Sequence, residues 1–455
     1  MKNTILTGAS IFALIAAAPA AAQQVQTSDI WQNGEDNSAS VNQQGNENLS
    51  DVDQDGDDNF VEVTQTENPV GSTPFNTPSN VSNIDQDGDN SRARVEQNND
   101  NPGGQSNTAN ITQVSSYLTT ADPADSDSTV PSGFANNARV IQNGSDNQST
   151  MVQDDSAGGI TGAAAYNSQD GTGHRSTIRQ DFTGVNGVEF DPASRVDVIQ
   201  SGTNNVSEVD QSRQANSLIV TQSASNNFSD VDQYRQGNTG TVLQSGSDND
   251  SNLFQDMLND ATVSQTGNGN DSNLIQDTSN SASVTQSGNG NGSLVLQGEG
   301  LAPPSPTNVG RDNLATVIQS GDGNMSSIDQ RRDSTALVTQ SGGSNISDIQ
   351  QIGGADSGNS AIVEQLGSAD VSDILQDGAN QFADVSQNGS SEYSSIMQSG
   401  DGNSALVDQS GSNNDSFIVQ DGVGNAATVT QTGTSDYSSV NQNGTGNTAT
   451  VAQGN

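Results

Sequence analysis

Among its 455 residues the chain has no cysteine, one tryptophan, one histidine and five tyrosines. The missing cysteine excludes a disulfide framework and thiolate metal sites. With aromatics at 4% and hydrophobic residues at 29%, there is too little apolar material for the several globular cores that a chain of this length would normally hold. By composition alone it reads as disordered. Basic residues are also scarce, 12 against 55 acids for a formal charge of −43, and such a surface repels nucleic acid and anionic membrane. Long hydrophobic runs are absent beyond the first two dozen residues, so no later segment is apolar enough to span a bilayer.

The one apolar run, Ile5 to Ala18, follows Lys2 and precedes Pro19 and Ala20-Ala21-Ala22. A charged start, an apolar stretch shorter than the roughly 20 residues of a spanning helix and a small-residue junction predict a secretory signal over 1–22, cut between Ala22 and Gln23. Its removal takes the only lysine, leaving eleven arginines against 55 acids and moving the charge from −43 to −44.

What the chain has in abundance is a repeat. Gln365, Gln376, Gln387, Gln398, Gln409, Gln420, Gln431, Gln442 and Gln453 recur at an interval of eleven. Stepping back by twos from a Gln gives Asn403, Ala405, Val407, Gln409, then Asn414, Ser416, Ile418, Gln420, then Asn425, Ala427, Val429, Gln431, with Asn447 opening the last unit. The unit N-x-[A/S]-x-[V/I]-x-Q puts its four named positions on one face of a strand, since side chains alternate. Ala and Ser alternate from Ala361 to Ala449, so the true repeat is 22 residues made of two unlike halves. Between halves lie four residues with glycine commonly second, as in Gln398-Ser-Gly-Asp-Gly-Asn403, where a tight reversal needs positive φ. The expected fold is all-β: a two-sheet β-solenoid of strand-turn-strand coils, each strand pairing with its equivalent one coil away.

Half of the inward columns are amides. A buried amide without partners costs on the order of 1 to 3 kcal/mol, and in-register stacking at about 4.8 Å removes that cost by letting each Gln or Asn donate to one neighbour and accept from the other. The Gln and Asn columns are therefore the predicted self-assembly ladder, with Val/Ile and Ala/Ser filling the dry space between sheets.

The unit begins directly after the signal, with Ser28, Ile30, Gln32 and Asn37, Ala39, Val41, Gln43, and occupies 23–455. Insertions are expected near 66–79, 98–106, 114–135, 154–162, 181–192, 298–311 and 352–358, leaving from turns where they do not cut the ladder. In all there are about 34 half-units, hence roughly 17 coils. Between Asn98 and Asn136 only Ala109, Ile111 and Gln113 fit clearly, and the coil phase is open there. Arg331-Arg332 replaces a normal turn and reads as solvated.

The Ala half, Q-x-G-x-x-N-x-A-x-V-x-Q, as in Gln398 to Gln409 and Gln442 to Gln453, resembles the curlin repeat of curli major and minor subunits. The resemblance extends over nearly all of 23–455. It implies a secreted functional amyloid, exported through an outer-membrane pore, started by a nucleator subunit and polymerised with itself at the cell surface into biofilm matrix fibres that mediate adhesion.

Two further readings bear on this expectation. Soluble solenoids carry atypical polar caps, yet Asn447 to Gln453 is an ordinary repeat without charge or proline, so it reads as an open template. Against that, Glu208 and Asp230, and Asp210 and Asp232, are expected in the same outward positions one coil apart, where carboxylates about 5 Å apart repel by roughly 1 kcal/mol before screening. Added salt is expected to speed end-to-end addition.

The alternatives are a monomeric secreted β-solenoid adhesin and a weak calcium-binding surface protein. Asp55-Gly-Asp57-Asp58 and Asp87-Gly-Asp89 resemble calcium-loop fragments, but full calcium-loop spacing is missing and turn chemistry accounts for them. No catalytic residue, cofactor or metal is expected. His174 falls in the Asn column ahead of Ser176, and the outward acids have no base beside them. Phe254, Phe417, Tyr393 and Tyr437 fall on outward positions.

Overall fold

A computed structural model describes residues 26–45, 47–67, 80–99, 106–115, 136–155, 163–181, 194–213, 215–298, 312–353 and 358–454. The expected signal with its Ala22–Gln23 junction and the greater part of each expected insertion lie outside these residues.

The described chain is all-β. Its strands form parallel sheets in which Ser-type halves pair with Ser-type halves and Ala-type with Ala-type. Two compact units divide it at Ser225. The first holds fourteen strands, from Thr27–Asn33 to Ser217–Ser225, and the second twenty, from Phe228–Gln233 to Thr448–Gln453. Within each unit strands alternate between a serine sheet and an alanine sheet, as a β-solenoid requires.

Register follows the repeat residue for residue. In the serine sheet of the second unit Ser394 pairs with Ser416, Ile396 with Ile418 and Gln398 with Gln420. In its alanine sheet Ala405 pairs with Ala427, Val407 with Val429 and Gln409 with Gln431. A slip of one residue would turn every amide outward, so the inward pattern specifies this pairing. The core is the strip between the two sheets, where Val407, Ile418 and Val429 are at most 2% exposed and the facing Ala and Ser columns are equally buried.

Turns stack as closely as strands. Gly400 has φ 102° and Gly402 φ 66°, and a Cβ on Gly400 would overlap the carbonyl oxygen of Gly422 one coil on. Glycine at the second turn position therefore serves both the reversal and the close approach of successive turns.

The structure places the strand whose phase the sequence leaves open. Asn107–Ser115 lies in the serine sheet between Asn80–Gly88 and Gln148–Asp155, so Ala109 takes a serine position between Ser82 and Ser149. Strands also run into the edges of the expected insertions: Thr66 and Glu67 still pair with Asn98 and Asn99, because ladder bonding continues past the Gln. Arg331 and Arg332 are half-buried. In their turn the Ser334 hydroxyl donates to the Arg332 carbonyl at 2.6 Å.

Candidate functional site

The inward amides form continuous ladders. In the first unit the rungs run Gln32, Gln54, Gln86, Gln113, Gln153, Gln180, Gln211 in the serine sheet. In its alanine sheet they run Gln43, Gln65, Gln97, Gln142, Gln169, Gln200, Gln222. In the second unit Gln376, Gln398, Gln420 and Gln442 continue one ladder, and Gln365, Gln387, Gln409, Gln431 and Gln453 the other. Every rung has the same sense: Nε2 of one Gln donates to Oε1 of its neighbour on the C-terminal side. Gln365 through Gln431 are fully buried and Gln442 is 5% exposed, while Gln453, in the last described strand, is partly exposed.

The second N–H of each amide ties the two sheets together. Nε2 of Gln409 donates to the Tyr393 carbonyl at 3.0 Å and that of Gln420 to the Ser404 carbonyl at 2.9 Å. Both rungs reach back sixteen residues to the start of the preceding strand, in the opposite sheet, and across the longest insertion the same bond runs from Gln142 to the Thr108 carbonyl, 34 residues back. With both N–H groups and Oε1 engaged, the buried amide costs little and fixes register and sheet separation together.

The Asn column closes the turns. Oδ1 of Asn403 accepts the backbone N–H of Asn425 at 3.0 Å and its Nδ2 at 3.2 Å. Nδ2 of Asn425 also donates to the Gly444 carbonyl at 3.1 Å and, within its own turn, to the Asp421 carbonyl at 3.4 Å. Asn403, Asn414 and Asn425 are buried; Asn447, just before the final strand, is exposed but keeps its bonds to Asn425.

Substitutions in this column are informative. His174 is fully buried and imitates an amide: its Nδ1 accepts the Asn205 N–H at 3.3 Å, while Nε2 lies 3.2 Å from the Asp170 carbonyl. Nε2 is therefore the protonated nitrogen. Burial lowers the His174 pKa, against the opposing pull of Asp170. Gln381 donates to the Asp377 carbonyl at 3.0 Å and the Gly400 carbonyl at 3.2 Å, as an Asn would. Asp370, Glu392 and Asp436 also occupy the column, which sequence reasoning missed although each stands six residues before a ladder Gln. Burial and then Asp370 push the Glu392 pKa up to about 7, and burial raises that of Asp370.

The outer faces differ from this interior. Asp29 pairs with Asp51, Asp53 with Asp85 and Asp55 with Asp87 one coil apart; partial burial, then the neighbours Asp85, Asp51 and Asp55, raise the Asp53 pKa. Among the described residues no group of three or more His, Cys, Asp or Glu is arranged to hold a metal ion, and no helix is long and apolar enough to cross a membrane. The Asp-Gly segments serve as turns, with Gly56 at φ 121° and Asp58 at φ 59°, and Oδ1 of Asp89 accepts the Asp57 N–H at 2.8 Å. Outward aromatics stack along the solenoid, Tyr393 on Phe417 at 5.4 Å and Phe417 on Tyr437 at 5.7 Å.

No curated protein matches the chain. The family model described as the curlin associated repeat matches residues 34–66, in the first unit, and 394–422, in the second. The matched segments carry the Gln, Gly and Asn positions that build the ladders, and strands of the same pattern make up the rest of the described chain. In-register Gln and Asn columns thus run through each unit, and at these two places the chain is similar to the curlin associated repeat.

Proposed function

We propose that the chain is a secreted structural subunit that assembles with itself into curli-like amyloid fibres of the extracellular biofilm matrix, where the fibres mediate adhesion and aggregation. The observation that carries this reading is the single sense of the ladders. Gln32 and Gln43 donate into the first unit, so their Oε1 atoms face away from it as acceptors. Gln453 accepts from Gln431 and turns Nε2 toward the Tyr437 carbonyl, with no further rung among the described residues. Among the described residues the strand Thr448–Gln453 pairs only with Ala426–Gln431, and Thr27–Asn33 only with Leu49–Asp55. An acceptor edge and a donor edge match head to tail, and an open edge of this kind templates further pairing. The ladder residues Gln365 to Gln453 and Asn403 to Asn447 act in this reading as the assembly site. Export through an outer-membrane pore after cleavage at Ala22–Gln23, and initiation by a nucleator, complete it.

The test is incubation of the purified chain without residues 1–22, followed by negative-stain microscopy and fibre diffraction. Fibres with a meridional spacing of about 4.8 Å are expected. A chain that stays monomeric for weeks at high concentration, with seeds present, would overturn the reading in favour of a monomeric adhesin.

A further inference from the structure

Three turns of the second unit end in an acid where the column, apart from Ser334, carries an amide: Leu366-Gly-Ser-Ala-Asp370, Asn388-Gly-Ser-Ser-Glu392 and Thr432-Gly-Thr-Ser-Asp436. Asp370 and Glu392 lie one coil apart and are 0% and 1% exposed. Each uses one oxygen as an Asn uses Oδ1. Oδ1 of Asp370 accepts the Glu392 backbone N–H at 3.0 Å, and Oε1 of Glu392 accepts from Nδ2 of Asn414 at 3.3 Å. The other oxygens, Oδ2 of Asp370 and Oε2 of Glu392, are buried without a partner.

The column shows what those second oxygens replace. At the same position Asn345, Asn403, Asn425 and Gln381 place an amide nitrogen that donates to the carbonyl four residues earlier and to the glycine carbonyl of the next coil. By that register the carbonyls awaiting a donor beside Glu392 are those of Asn388 and Gly411. A carboxylate offers them only a negative oxygen, whereas a carboxylic acid offers an O–H. The charged groups acting on Glu392 add to the mismatch: Asp370 in the turn one coil before, and Asp408 in the strand Ser404–Ser412. The other groups facing the pair are neutral, namely Asn345 and Asn414 on either side and the backbone N–H groups of Gly367 and Asn388.

We propose that Asp370 and Glu392 form a proton-operated joint in the second unit: as neutral acids they close the amide column by O–H donation, and as carboxylates they open it. Resting on the fibre reading above, the joint makes acid the condition that favours assembly. The direction follows from linkage. Both groups bind protons more tightly in the folded chain than in the unfolded one. The stabilisation is therefore full below the unfolded value of 4.5 and lost as pH rises through about 7 for Glu392. For Glu392 alone this lowers the folding equilibrium constant on the order of 100-fold between pH 4.5 and pH 8.

The joint is tested on the full chain with Asp370→Asn and Glu392→Gln, singly and together, and with Asp421→Asn as an exposed-acid control. Gln381 already holds the equivalent place in the alanine sheet, so the glutamine is accommodated. The guanidinium midpoint of the parent chain is expected to fall from pH 5 to pH 8, that of the double variant not to fall over this range, and that of Asp421→Asn to follow the parent. The lag before fibre growth should lengthen with pH in the parent and not in the double variant. A double variant whose midpoint keeps the parent's pH dependence overturns the joint. If midpoints behave as expected but no variant forms fibres at any pH, the joint stands and the fibre reading falls.

Discussion

The two units build the same ladder from sequences of very different regularity. In the first, successive rungs lie from 22 to 45 residues apart, the widest between Gln97 and Gln142. In the second they lie from 21 to 33 apart. Rung lengths barely differ, 2.6 to 2.9 Å in the first unit and 2.8 to 3.0 Å in the second. What sits between repeats therefore has little hold on the core. Register is imposed by the inward side chains, and the cost of closing a longer loop grows only slowly with its length. The comparison separates two roles that a regular repeat would confound: turns set spacing in sequence, amides set spacing in space.

The sharpest way to break that equivalence is to remove matched rungs. Gln142 bonds Gln97, Gln169, the Thr108 carbonyl and the Asn147 carbonyl. Gln409 bonds Gln387, Gln431, the Tyr393 carbonyl and the Asn414 carbonyl. Alanine at either site orphans a donor above and an acceptor below in a dry interior, and should cost about 3 kcal/mol or more. Guanidinium unfolding of Gln142→Ala and Gln409→Ala is expected to show losses equal within about 1 kcal/mol. A much cheaper Gln142→Ala would mean that loop geometry, not the ladder, holds the irregular unit.

A second contrast lies in how the units answer pH. The first holds His174 neutral, with a pKa lowered by burial. The unfolded chain takes up a proton near pH 6.5 that the folded chain refuses, so this stabilisation is full above 6.5 and lost as pH falls below it. Protonation would also place a hydrogen on Nδ1, facing the Asn205 N–H. The acids of the second unit respond in the opposite direction. Replacing His174 with Asn should remove the acid-side loss, read as a pH-independent midpoint between pH 7 and pH 5 once Asp370 and Glu392 are neutralised by substitution. A midpoint that still falls on acidification would place the proton uptake elsewhere.

Much of this was legible in the sequence, for reasons that individual residues make plain. Gln398, Gln409 and Gln420 announce an interior because a period of two within the half-unit and eleven between halves admits only one inward face. The contrast of Ala405 with Ser416 separates the sheets. The cross-sheet bond from Gln409 to the Tyr393 carbonyl was not legible, since it depends on how far apart the sheets stand, which no spacing along the chain encodes. Ala109 had no readable phase because long segments flank it and its side chain suits either sheet. Asp370 and Glu392 were visible in position but not in consequence: an acid sixth before a Gln becomes unusual only when the carbonyls around it are known.

The smallest expected effect concerns the serine column, where Ser149 of the first unit differs from the serines of the second. In the second unit the hydroxyls of Ser229, Ser251, Ser272, Ser394 and Ser416 are buried without a hydrogen-bond partner. The column requires a small side chain there, and the hydroxyl itself contributes nothing. In the first unit Ser149 is different, because Asn167, standing in a valine position between Val140 and Val198, donates Nδ2 to the Ser149 hydroxyl at 2.8 Å. Removing an unpaired buried hydroxyl relieves its desolvation cost, whereas removing a paired one orphans the partner. Ser416→Ala should therefore raise stability by up to about 1 kcal/mol and Ser149→Ala lower it by about as much. Opposite shifts of the guanidinium midpoint would show that one column position is filler in one coil and partner in another. Equal destabilisation at both sites would mean that the Ser416 hydroxyl finds an acceptor in solution, and that the serine sheet depends on its serines as the ladders depend on their glutamines.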